Sequence, residues 1–239
     1  MLYVLTGVAA LAAIIVTVCV LRRGDRKQST LVAKPYAELR ADMIESALSQ
    51  IDDWYEPTCS IDEDLRAAIT QDEVARLSQS PHGDRDAWHR EVSPFFDRAL
   101  DSVLNEHSRI GGDSSNIERM SVDRRAFLVV FTLESQVNNG GFDQYYLNSS
   151  GDTAWAAPAC LRHIGMHDLA SLVERANGVF TGDPPPHRAV RLKAMGELGE
   201  HATTIWNATT QEFFDSNYEC FSALVRLICD RRDSFFRVD

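Results

Sequence analysis

The side chains of this 239-residue chain whose type and spacing invite chemistry are carboxylates. Between Ala41 and Glu73 stand ten of them, Asp42, Glu45, Asp52, Asp53, Glu56, Asp62, Glu63, Asp64, Asp72 and Glu73, against Arg66 alone. Carboxylates fixed on helices imitate a row of phosphates and complement the basic face of a nucleic-acid-binding protein. The same residues also suit a solvated helix face and acidic first turns, which helix N-termini favour. Asp52, Asp53, Glu56, Asp62, Glu63, Asp64, Asp72 and Glu73 form the candidate partner-contacting set. The net charge of −11 is uneven: residues 1–30 carry +3 and the remainder −14. A domain that acidic repels DNA and RNA, so no direct nucleic-acid binding is expected. It attracts a basic protein, or its acidity serves only solubility.

Motifs for other chemistry are missing from the sequence. There is no Gly-x-Ser-x-Gly, no His-Glu-x-x-His, no P-loop and no Gly-x-Gly-x-x-Gly, so the reading is non-enzymatic with no cofactor. His163 and His167 are four apart, a spacing that suits a metal on one helix. Gly165 lies between them and no third ligand follows from spacing, so no metal site is expected. Cys19, Cys59, Cys160, Cys220 and Cys229 show no Cys-x-x-Cys pairing and read as free thiols in a reducing compartment.

The elements that would position these groups begin with a leader. Leu2 to Leu21 is 20 residues without a charge, which makes about 30 Å of helix, the thickness of a bilayer core. Arg22, Arg23, Arg26 and Lys27 follow it, and the positive-inside rule puts that side in the cytoplasm. Residues 1–23 are therefore expected to anchor the chain in the bacterial inner membrane. Residues 24–34 form a polar linker, and 35–239 a helical domain. In that domain Tyr36 to Ile51 and Asp64 to Leu77 carry helical apolar spacing, and Pro94 follows Ser93 as at a helix start. Ile110 to Asn116 reads as a loop, and Ser121 caps the next helix with Asp123 in its first turn.

That helix runs through Ala126 to Leu133 and is apolar nearly all round. It reads as the central buried helix, with a buried strand as the alternative over Phe127 to Leu133. Phe127, Val130, Phe131 and Leu133 are the expected core, and Gly140-Gly141 stops the helix. Phe142 to Asn148 resumes it. Pro158, inside a candidate helix over Ala154 to Ile164, requires a bend or a later start. Asp168 to Phe180, Arg188 to Trp206 and Asn217 to Phe236 supply the last helices. The class is all-α, and no clear strand alternation appears.

The most particular stretch joins these helices. Asn138, Asn139, Gly140 and Gly141 sit between the apolar run and the aromatics Phe142, Tyr145 and Tyr146. The turn is either a backbone nest for an anion or a tight connection satisfied by its own asparagines. Gln136, Gln144, Tyr145 and Asn148 either line a polar pocket or lock two helices together. Gln136, Asn138, Asn139, Gly140, Gly141, Phe142, Gln144, Tyr145, Asn148, Ser149 and Gly151 resemble the core motif of the DNA-mimic protein nineteen family. The resemblance extends over about 121–236. It implies an all-helical fold, in which the motif itself is structural. It also implies a role like that of the family's namesake, an acidic protein that occupies the DNA-binding surface of a transcription factor. The expected function is thus a membrane-anchored acidic protein that sequesters or inhibits a basic, nucleic-acid-binding partner. Two alternatives stay open: an immunity-like inhibitor of a basic toxin, and an enzyme with a polar pocket at Gln136, Asn139, Gln144 and Tyr145.

Overall fold

One 26-residue helix, Val122–Leu147, organises everything packed around it. The computed structural model of the chain describes residues 66–78, 93–112, 114–216 and 219–238. In chain order they form β1 (Ala67–Ile69), α1 (Gln71–Ser78), α2 (Ser93–Arg109) and a 3-10 turn (Ser114–Arg119). Then come α3 (Val122–Leu147), a second 3-10 turn (Ser149–Thr153), α4 (Ala157–His163), α5 (His167–Asn177) and α6 (Arg188–Glu197). The chain closes with α7 (Glu200–Asp215), α8 (Cys220–Asp230), α9 (Arg232–Phe235) and β2 (Phe236–Val238). The class is all-α apart from the short β1–β2 pair.

The helix starts where the side chains provide for its free N–H groups. Ser121 Oγ accepts from the Arg124 N–H at 3.4 Å, and Asp123 places a carboxylate in the first turn. Ala126, Phe127, Val129, Val130 and Leu133 are fully buried and Phe131 packs half-buried against the same core. A helix apolar on every face has to sit inside its neighbours. Accordingly α2, α4, α6, α7 and α8 all pack on α3. The stretch Phe127 to Leu133 is helix, not strand, because it continues the hydrogen-bonded ladder from Ser121 onward. Pro158 falls at the start of α4, where its missing N–H is harmless, so that helix begins late.

Three expectations are corrected. The helix expected over Asp64 to Leu77 holds only from Gln71. Residues Ala67–Ile69 are extended and pair in parallel with Phe236–Val238, Ala67 opposite Phe236. Three-residue strands give no readable alternation, and it is burial of Ile69 and Phe236 that sets them. Thr70 then opens α1 with a capping box: Glu73 Oε2 accepts from the Thr70 N–H at 2.8 Å and Thr70 Oγ1 from the Glu73 N–H at 3.3 Å. Secondly, the span Arg188 to Trp206 is two helices, divided where Leu198 and Gly199 turn extended. Thirdly, the span Asn217 to Phe236 is not one helix but α8, the single turn α9 and the first residue of β2, and the loop expected to run to Asn116 is already 3-10 from Ser114.

The leader Leu2 to Leu21, the helix expected over Tyr36 to Ile51 and most of the acidic segment lie outside the described residues. Among the described residues no helix is long and apolar enough to cross a membrane.

Candidate functional site

The signature stretch is a kink in α3, and its residues divide into those that build the kink and those that stand clear of it. Gly141 has φ 79° and ψ −176°, a conformation open essentially to glycine. A Cβ there would also meet Thr210 Oγ1 of α7 at 2.9 Å. The turn opens the ladder just enough for the Phe142 N–H to donate to that hydroxyl at 3.0 Å. Gln144 folds back over Gly140 so closely that a Cβ at Gly140 would lie 1.9 Å from Gln144 Oε1. Across the kink Asn148 Nδ2 donates to Gln136 Oε1 at 2.7 Å. The polar residues of the motif therefore lock two helical segments together. Asn138, Asn139, Gly140 and Ser149 are exposed, so the asparagines do not satisfy the turn from within.

Past the kink, Phe142, Tyr145 and Tyr146 enter an aromatic cluster with Phe180, Trp206 and Phe213. Two of its three polar tips find acceptors: Tyr146 Oη donates to Asn177 Oδ1 at 2.6 Å and Trp206 Nε1 to the Ala176 carbonyl at 2.9 Å, while Tyr145 Oη has no hydrogen-bond partner among the described residues. Burial pushes the pKa of the Tyr145 and Tyr146 phenols above the ordinary range, which favours their protonated form.

Sequence reasoning missed the residue at the centre of this arrangement. Arg191 of α6 is fully buried. It donates to the carbonyls of Tyr146 at 2.7 Å, Asn148 at 2.8 Å and Pro185 at 2.8 Å, and to Asp152 Oδ1 at 2.6 Å. Burial lowers its pKa, and Asp152 opposes that shift. Gly151 is glycine because a Cβ would meet the Tyr145 carbonyl at 2.7 Å and Arg191 Nε at 2.9 Å. Only a folded chain brings these carbonyls together, so nothing local marks Arg191 out.

A second polar centre lies at the other end of α3. His163 Nε2 is 2.8 Å from Asp123 Oδ1, and Ser234 Oγ donates to Asp123 Oδ2 at 2.6 Å. Burial alone would raise the Asp123 pKa, but Ser234 and His163 outweigh it and hold the carboxyl below its usual range. Both partners bind the aspartate, so the histidine does not activate the serine as a nucleophile would require. Arg124 ties the same corner through Glu106, the Ser102 carbonyl and the Ser234 carbonyl. α4 ends at His163 and α5 begins at His167, with Gly165 at φ 82° between them, so the two histidines do not share one helix.

Of the candidate partner-contacting carboxylates, Asp52, Asp53, Glu56, Asp62, Glu63 and Asp64 lie outside the described residues. Asp72 is exposed at the start of α1. Glu73 is occupied by its capping box and by Arg98 Nη2 at 2.9 Å. Glu134, also missed from sequence, is a carboxyl whose burial in α3 pushes its pKa up to about 7. It lies beside Cys220, whose thiol is pushed above its ordinary range by burial first and by Glu134 second. Cys160 and Cys220 are free and buried, and burial raises the Cys160 thiol to about 11.

The four side chains of the enzyme alternative do not converge. Tyr145 is buried, Asn139 is exposed, Gln136 is bonded to Asn148, and Gln144 covers Gly140. Fold and site together define an all-helical domain built on a glycine-kinked central helix with a buried arginine behind the kink. Residues 118–231 match the family described as DMP19-like protein, and this domain of the chain belongs to it. No curated protein and no solved structure matches the chain significantly.

Proposed function

We propose that this protein is a non-enzymatic acidic binding protein. It holds a basic, nucleic-acid-binding partner by presenting carboxylates in place of phosphates, at the membrane in which its N-terminal segment is anchored. The observation that carries this reading is the run of ten carboxylates against Arg66 alone between Ala41 and Glu73. The family match supports it, since the resemblance implies an acidic protein that occupies a DNA-binding surface. The bond between Gln136 and Asn148 and the burial of Tyr145 also favour binding over catalysis.

The test is capture. Full-length protein, solubilised and immobilised, should retain basic proteins at low salt and release them as salt rises, because exposed charges are screened over about 10 Å at 0.1 M. If nothing basic is retained at low salt, the reading fails. For the location, a reporter active only in the periplasm, fused after Asp239, should stay silent. A strong signal would overturn a cytoplasmic domain.

A further inference from the structure

We propose that the cleft between α4, α5 and the loop after α5 receives one basic side chain of a partner, arginine in preference to lysine. The reading above also calls for a basic partner, but this site uses different carboxylates, so the two fail separately. The cleft has a volume of about 330 Å³ and is lined by Trp155, Pro158, Arg162, Glu174, Asn177 and Asp183 among others. That is room for roughly ten waters at about 30 Å³ each, enough for a long side chain.

Its chemistry selects a cation. Arg162 Nη2 is bound to Glu174 Oε2 at 2.6 Å, so the one cation lining the cleft is already neutralised. Glu174 Oε1 has no partner among the described residues, and neither has the exposed carboxylate of Asp183. The cleft thus carries one net negative charge with carboxylate oxygens to spare. An anion entering it would face Asp183 with Arg162 spoken for. An apolar group would strip water from carboxylates and return nothing. A guanidinium answers both: its planar fork takes carboxylate oxygens and its face stacks on an indole. Trp155, packed against the core, and the buried Pro158 line that wall. The floor is fixed, since Asn177 accepts from Tyr146 Oη and donates to the Ala154 carbonyl at 2.9 Å. Trp155 Nε1 has no acceptor among the described residues.

The experiment uses the full-length protein labelled with 5-fluorotryptophan, the Trp155 resonance being assigned through Trp155→Phe. The probes are the N-acetyl amides of arginine, lysine, norleucine and aspartate. Arginine amide should shift the Trp155 resonance saturably at millimolar concentration, with lysine weaker and norleucine and aspartate silent. Asp183→Asn together with Glu174→Gln should weaken the arginine response at least tenfold, with an unmoved Trp206 resonance showing that the fold is intact. Should the double variant disturb Trp206, Asp183→Asn alone, an exposed change, gives the same readout. Asp62→Lys, Glu63→Lys and Asp64→Lys should leave the response unchanged. No response to arginine amide overturns the proposal. An equal response to norleucine or aspartate does so too, as does loss of the response in the Asp62, Glu63 and Asp64 variant, which would show a general charge effect.

Discussion

The helical domain and the acidic segment ahead of it use charge in opposite ways. Over residues 118–231, fourteen carboxylates face ten Lys and Arg, a net −4. Two buried cations there are consumed by the fold: Arg191 by Asp152 and three carbonyls, and Arg124 by Glu106 and Ser102. Between Ala41 and Glu73 ten carboxylates face one arginine, and that arginine is itself used, Arg66 Nη1 donating to the Asp233 carbonyl at 2.9 Å. Charges that are paired inside a domain decide whether it folds. On the proposed reading, charges in excess of the cations in their own segment are offered to another molecule. The two regions should therefore answer mutation differently, the first in stability and the second in binding.

The largest expected effect is at Arg191. Arg191→Leu leaves Asp152 and three carbonyls without their donor, and breaking a buried pair in this way costs about 3–5 kcal/mol. Urea unfolding should show it as a lower midpoint at unchanged slope; a midpoint near wild type would mean that the buried network is dispensable. Next comes the kink, where Gly141→Val forces a β-branched residue into a glycine conformation against Thr210. It should lose about 1–3 kcal/mol, and wild-type stability would remove the argument for a locked turn.

Glu134 gives a subtler, pH-dependent effect. Its pKa rises from 4.5 to about 7 on folding, so the folded state holds the proton more tightly than the unfolded chain. The stability this contributes is complete below about pH 4.5 and is lost as pH climbs to about 7. Glu134→Gln keeps the shape without the charge. It should raise stability above pH 7 by on the order of 2 kcal/mol and flatten the pH dependence between those limits. An unchanged stability–pH profile in thermal melts would show that the carboxyl is not held neutral. Smallest of all, Asp62→Lys, Glu63→Lys and Asp64→Lys should change stability by no more than about 0.5 kcal/mol each.

How much of this was legible in the sequence follows from how local each signal is. Ser121 as a cap and Pro158 as a helix start each act within a few residues, and the structure places both as read, whereas the stop expected at Gly140-Gly141 is a kink within one helix. The buried run from Phe127 to Leu133 was legible because apolar residues on every face leave no solvent side. The β1–β2 pair was not, since Ala67 and Phe236 meet only through the fold and each strand is three residues long. Arg191 was hidden for the same reason: its partners are carbonyls and one aspartate up to 45 residues away, and carbonyls carry no residue type to read. The cleft at Trp155, Glu174 and Asp183 gathers its walls from three separate segments, none distinctive alone.

The central claim, that the acidic segment binds while the helical domain folds, is tested most directly by pairing two readouts on one variant. Full-length protein and its Asp62→Lys, Glu63→Lys, Asp64→Lys form are melted, then compared for salt-releasable retention of basic proteins identified by mass spectrometry. The account predicts melting temperatures within a few degrees, about 2–4 °C per kcal/mol for a domain of this size, and retention by the wild type alone. Equal retention by both forms, or a variant that no longer folds, would contradict it.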